Sequence, residues 1–191
     1  MVRAVIVPGN GCTPIRDANW YAWLEARLKK DKVFDEVAMA DMPDPHRARR
    51  AIWLPFILNM LKADPQTVVI GHSSGAVAAM RLLEEQKLHG ALLISACHTD
   101  LGEENEAQAG YYPPSGGPWQ WEQIKANSGG NIIVLHSDND PFIPLVEPEH
   151  VSEQLGCELR VQPGRSHFFE PCESIVQAAH ELAQRPLWDT S

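Results

Sequence analysis

An α/β fold, one domain spanning 1–191 on a mainly parallel six-stranded sheet with helices on both faces, is predicted by three observations. Six short runs rich in β-branched and apolar residues recur along the chain. Several are almost wholly apolar, as strands covered on both faces must be. Amphipathic stretches separate them, and that alternation implies parallel strands joined by crossover helices. No repeat, low-complexity tract or linker divides the 191 residues.

The strand-like runs are Val2–Pro8, Glu36–Ala40, Thr67–Gly71, Ala91–Ser95, Ile132–His136 and Glu158–Gln162. The first helix is patterned by Trp20, Trp23, Leu24, Ala26 and Leu28, and the second by Ile52, Phe56, Leu58 and Leu61. Pro55 should break or kink that second helix, because its ring removes a donor and clashes with the preceding turn. Ser74 to Gln86 is Ala-rich and helical, and Glu170 to Gln184 closes the fold with Pro186 as a stop. One segment departs from this rhythm. Residues 98–123 are acidic at first (Asp100, Glu103, Glu104, Glu106) and then rich in Pro, Gly and aromatics. A connection of that length reads as a lid or binding-loop excursion.

Charge narrows the function classes. Sixteen Lys and Arg against 25 Asp and Glu give a formal charge of −9. Such a chain repels phosphate backbones and anionic headgroups, so neither nucleic acid nor membrane is an expected partner. The dense basic run at His46–Arg50 reads as a solvated helix face. The opening run lacks the charged and long apolar regions of a signal peptide, and no stretch is apolar enough to span a bilayer. Cys12, Cys97, Cys157 and Cys172 are scattered without a C-x-x-C pair, which favours neither a disulfide framework nor a metal site. A cytoplasmic protein is expected.

The chemistry centres on Gly71-His72-Ser73-Ser74-Gly75, a G-x-S-x-G between a strand and a helix. A sharp strand-to-helix turn pushes the middle side chain outward in a strained conformation, and residues two before and two after must be small. The pentapeptide alone is weak evidence; its strand–turn–helix setting gives it weight. The helix start also presents the Ser74 N–H where negative charge would develop on a reacting oxygen. His72 reads as a structural neighbour.

A serine nucleophile needs a base, and the base an orienting carboxylate, in the order Ser, acid, His. Of eight histidines only His167 follows the last strand and precedes the last helix. Asp138 and Asp140 both follow the fifth strand; Pro141 and Pro144, flanking Phe142-Ile143, would rigidify the turn and favour Asp140. The loop after the first strand, Pro8-Gly9-Asn10-Gly11, offers Asn10 or Gly11 as a second oxyanion donor. Gly9-x-Gly11 also opens a dinucleotide fingerprint with Asp41 as a ribose ligand. Pro14 stands at the third glycine, however, and Asp41 lies beyond the roughly 20-residue spacing. That reading leaves Ser73, Asp140 and His167 unexplained. Trp119, Trp121 and Phe142 are expected around a substrate pocket, although core packing is the common fate of Trp.

Across nearly its whole length the sequence resembles the retinoblastoma-binding protein 9 family of small serine hydrolases. The resemblance rests on AVIVPGNG (Ala4–Gly11), MPDP (Met42–Pro45), IWLPF (Ile52–Phe56), IGHSSGAVAAMR (Ile70–Arg81), DLGEENE (Asp100–Glu106), PWQWEQIKAN (Pro118–Asn127), DPFIP (Asp140–Pro144) and SHF (Ser166–Phe168). It implies a compact α/β-hydrolase with a triad of Ser73, Asp140 and His167. It also implies small ester or amide substrates, aminoacyl derivatives among them, and no cofactor. The vertebrate namesake's L-x-C-x-E retinoblastoma-protein contact is not matched, since Leu61-Lys62-Ala63-Asp64-Pro65 has Ala for Cys and Pro for Glu. A catalytically idle hydrolase-fold scaffold is the competing class, because fold alone does not determine function. A triad complete and in order argues against it. The acidic residues at 100–106 are an ordinary solvated loop unless they face the site, where they would attract a substrate amine.

Overall fold

The computed structural model describes residues 1–186. All six expected strands form: β1 (Arg3–Val7), β2 (Glu36–Ala38), β3 (Thr67–His72), β4 (Gly90–Ile94), β5 (Ile132–Ser137) and β6 (Glu158–Gln162). They make one sheet in the order β2-β1-β3-β4-β5-β6, with every pair parallel. The central strands β3, β4 and β5 are buried along their whole length, which accounts for their apolar runs, Val68–Ile70, Ala91–Ile94 and Ile132–Leu135. The two edge strands are more exposed and more polar.

Side chains alternate across the sheet, and two cores result. Ala4, Ile6, Val68, Ile70, Leu92 and Ile94 face α1 (Tyr21–Asp31) and α7 (Glu173–Gln184), contributing to one apolar cluster. Val5, Val7, Val69, Leu93 and Val134 face the other way, toward α2 (Arg50–Asn59), α3 (Ser74–Glu85) and the layer containing α5 (Trp121–Ser128) and α6 (Val146–Leu155). The expected helices on both faces are therefore present.

Two departures are instructive. α2 runs unbroken through Pro55. The proline lies on the exposed side, where its ring meets water, while Trp53, Leu54 and Ile57 are buried and hold the helix to the core. Burial of those side chains outweighs the one lost backbone hydrogen bond. Second, the 98–123 excursion is partly regular. It contains α4 (Glu104–Ala109), and α5 begins within it at Trp121. Neither α4 nor α6, both short and rich in polar residues, carries an apolar periodicity that marks it as a helix. Strand order reverses between β1 and β3, so the loops at their carboxyl ends diverge and leave a crevice.

Candidate active site

A cavity of about 580 Å³ occupies that crevice. Ser73 lies at its floor, on the turn from β3 into α3, with φ 54° and ψ −119°. The turn is feasible only with the flanking glycines. A Cβ on Gly71 would come within 2.4 Å of the Gly75 carbonyl oxygen, and one on Gly75 within 2.3 Å of the Val7 oxygen. The strained residue is held at both ends: Ser73 N–H donates to the Ile94 oxygen, and its carbonyl accepts from Ala76 and Val77.

His167 also lines the cavity, and its Nδ1 lies 2.8 Å from Asp140 Oδ2. The Asp140 side chain is completely buried. Burial alone would raise its pKa, but the hydrogen bond and charge of His167 and the backbone N–H groups of Phe142 and Ile143 hold it below the ordinary carboxylate value. Ser95, at the end of β4, donates a further bond of 3.0 Å to Oδ2. The other ring nitrogen of His167 is left for the cavity; in the resting geometry no hydrogen bond joins it to the Ser73 hydroxyl among the described residues.

The loops carrying these two residues are knitted together. Asp138 Oδ1 accepts from Gly164 N–H, Ser137 Oγ from Arg165 N–H and Asn139 Oδ1 from Ser166 N–H, each at 2.8 Å. Asp138 thus sits in the loop as expected, but its carboxylate is engaged by backbone and not by His167.

The glycine-rich loop closes the opposite wall. Asn10 lines the cavity with its backbone N–H uncommitted among the described residues, as is that of Ser74. Gly11 does not belong there: it lies outside the cavity lining, and its N–H donates to the Pro45 carbonyl at 2.8 Å. Trp119 and Trp121 are likewise displaced from the expected pocket. The Trp119 ring lies 3.7 Å under the Arg81 guanidinium, its indole N–H donates to the His98 oxygen, and Trp121 stacks on it. Both rings brace the root of the excursion. Phe142 does line the cavity, and with Phe169 it packs edge-on against the His167 ring.

From the excursion, Glu103 and Glu106 reach the cavity wall, together with Leu101, Asn105 and Tyr112. Asp100 and Glu104 do not. Glu106 accepts from Asn10 Nδ2 at 2.9 Å and from the Tyr112 hydroxyl at 3.2 Å, and burial raises its pKa despite those bonds. Burial also pushes the Tyr112 hydroxyl and the Cys97 thiol upward. Ser95, Asn139, Glu106 and Tyr112 were not singled out individually as site residues by sequence reasoning. The available signal was positional: Ser95 directly follows β4 and Asn139 lies two residues past β5, both polar and at the carboxyl edge of the sheet. Among the described residues no three His, Cys, Asp or Glu side chains gather as a metal-binding group, and no helix is long and apolar enough to cross a membrane.

Comparison with known proteins bears on the family and the fold. Residues 4–172 match the family described as serine hydrolase. Serine hydrolase RBBP9 of Rattus norvegicus is 45% identical over 166 residues, covering 87% of each chain. Among solved structures, the ydeN gene product of B. subtilis superposes with a TM-score of 0.82 at 20% identity, over 97% of this chain and 100% of that one. Est1E from Butyrivibrio proteoclasticus superposes with a TM-score of 0.65 at 16% identity, over 94% of this chain and 85% of that one.

Proposed function

This chain belongs to the serine hydrolase family, and we propose that it cleaves small ester or amide substrates through a Ser73–His167–Asp140 triad and an acyl-enzyme. The observation that carries this is the His167 imidazole, bonded to a buried carboxylate and lining the same cavity as a serine on a positive-φ elbow. Asp140 fixes the tautomer with the proton on Nδ1, leaving Nε2 as the base. Ser73 Oγ attacks the substrate carbonyl while Nε2 takes its proton. The oxyanion forms against the backbone N–H groups of Ser74 and Asn10. The proton is then delivered to the leaving group, and water repeats the sequence to release the acid. No cofactor enters these steps.

Cavity chemistry supports a small acyl group, and two walls differ. Phe142 and Phe169 give an apolar rim beside His167, while Glu103 and Glu106 place acid groups opposite. That second wall favours an acyl group carrying an amine, hence aminoacyl derivatives. Four cysteines free of disulfides fit a reducing compartment such as the cytoplasm, and the formal charge of −9 disfavours nucleic acid or an anionic membrane as partner. The test is covalent labelling by a fluorophosphonate probe. Wild type should label, with labelling abolished in Ser73→Ala and reduced at least about a thousandfold in His167→Ala. A folded wild type that stays unlabelled would sink this reading in favour of an idle scaffold.

A further inference from the structure

His72, the variable residue within the elbow motif, is buried beneath the site with both ring nitrogens engaged. Nε2 lies 2.9 Å from the His167 carbonyl oxygen and Nδ1 lies 2.7 Å from the Tyr21 hydroxyl. The direction of each bond follows from chemistry. A carbonyl can only accept, so Nε2 must carry the proton. A neutral imidazole then has Nδ1 as an acceptor, and Tyr21 O–H must be its donor. Burial holds the ring neutral, lowering its pKa to about 3. The Tyr21 oxygen keeps its lone pairs for other donors: Gly9 N–H arrives at 3.1 Å and Asn19 Nδ2 at 3.2 Å, and Cys12 Sγ lies 3.5 Å away.

The relay therefore runs from the glycine-rich loop, through Tyr21 and His72, to the main chain of the proposed base. Tyr21 is 0% exposed, and its neighbour Trp20 donates at 2.7 Å to the very next carbonyl, that of Phe168. Two consecutive carbonyls after β6 are thus held by donors that trace back to the start of α1. Phe168 is itself at φ 49°, a conformation that needs such support. A Cβ on Gly9 would stand only 3.2 Å from Ser73 Cβ, so a small shift of this loop is felt at the serine.

We propose that Tyr21 is a positioning residue, holding the Gly9–Asn10 oxyanion loop directly and the His167 main chain through His72. The proposal rests on the hydrolase reading above. Tyr21 touches no reacting atom; it sets the separation between the two walls that must close on the transition state. Removing its hydroxyl frees the Gly9 N–H and leaves His72 Nδ1 without a donor, while keeping the ring's volume.

The test compares wild type, Tyr21→Phe, His72→Asn and the double variant on p-nitrophenyl acetate, with thermal melts as a fold control. Folded Tyr21→Phe should lose roughly 10- to 100-fold in kcat with KM within about twofold, because misplacement of catalytic groups costs the transition state and not ground-state binding. The double variant should lose little more than the worse single one, since both cut one relay. Unchanged kcat in folded Tyr21→Phe, a loss confined to KM, or additive losses would each overturn the proposal. Nitrogen NMR of wild-type His72 decides the matter should the variants not fold: the relay requires a neutral ring protonated at Nε2, and protonation at Nδ1 overturns it. An enzyme inert before any mutation overturns the hydrolase reading and the relay together, whereas a working wild type indifferent to Tyr21→Phe overturns the relay alone.

Discussion

The two walls of the cavity are built in different ways. On the His167 side, four consecutive residues from the end of β5 onward accept hydrogen bonds from four consecutive residues after β6: Ser137, Asp138, Asn139 and Asp140 meet Arg165, Gly164, Ser166 and His167. These are short side chains bonding across adjacent parallel strands, so the register of β5 and β6 almost dictates the contact. On the opposite side, the excursion is tied down by long side chains from remote elements. Arg81 donates to the carbonyls of Tyr111, Gly117 and Pro118, and Glu147 on α6 accepts from His98 and Thr99. Adjacency in the sheet yields a tight ladder for proton transfer; reach across the fold yields a wall that can differ in sequence without disturbing the ladder.

The largest effect should follow from breaking the ladder at its buried end. Asp140→Asn retains the shape of the carboxylate but replaces one acceptor by an amide. The amide can turn its oxygen to Phe142 and Ile143 or to His167, not to both. In the first orientation His167 is offered a donor, which favours the tautomer protonated at Nε2, the wrong nitrogen for a base. Turnover of p-nitrophenyl acetate should fall by roughly 10⁴-fold, the scale of losing the tautomer in a serine triad. A loss of tenfold or less in kcat would mean that Asp140 does not orient the imidazole.

Next in size is a variant that separates the walls by stability. Arg81 and Glu84 pair at 2.7 Å with both side chains 1% exposed. Arg81→Met leaves the Glu84 carboxylate buried with Arg50 3.9 Å away and strips the donors from three carbonyls. Breaking one partner of a buried pair costs about 3–5 kcal/mol, and chemical denaturation should show it. Hydrogen exchange should accelerate over 98–123 and hold steady over 164–168. Loss of protection in both segments would show that the walls are one cooperative unit, which breaks the comparison.

What the sequence disclosed follows the same division. Strand runs, the elbow and the Ser–Asp–His order are local patterns, fixed by what a sharp turn or a doubly buried strand will tolerate. The observed geometry brings Ser73 and His167 to the same cavity, with Asp140 buried against Nδ1 of His167. Contacts made by remote side chains have no such signature. Gly11 looked equivalent to Asn10 until Pro45, brought in from the loop before α2, was seen to take its N–H. Trp119 resembled a pocket aromatic because nothing local announces that Arg81, nearly forty residues earlier, will stack upon it. Pro55 leaves α2 unbroken for a related reason: the burial of Trp53, Leu54 and Ile57 holds the helix to the core while the ring faces out.

The smallest effect, and the one that distinguishes the walls most sharply, is their opposite response to acid. Asp140 has its folded pKa depressed below the ordinary 3.8, so between those values the unfolded chain binds more protons. Its contribution to stability is complete above about pH 4 and is lost as pH falls through the folded value. Glu106 is raised above the ordinary 4.5, chiefly by burial, so in the window just above that value the folded chain binds the extra proton. Its charged form costs stability, and that cost is relieved as pH falls from above its folded pKa toward 4.5. Buried His72, its pKa lowered to about 3, and other carboxylates such as Glu25 add their own loss of stability toward acid, so the two groups are read as differences between wild type and variant in urea midpoints from pH 3 to 7. The Glu106→Gln difference should vary with pH above 4.5 and stay constant below it, while the Asp140→Asn difference should vary only at the acid end. If Glu106→Gln instead removed the loss of stability at low pH, the carboxylate on the excursion would be a stabilising charge, and the excursion would resemble the ladder after all.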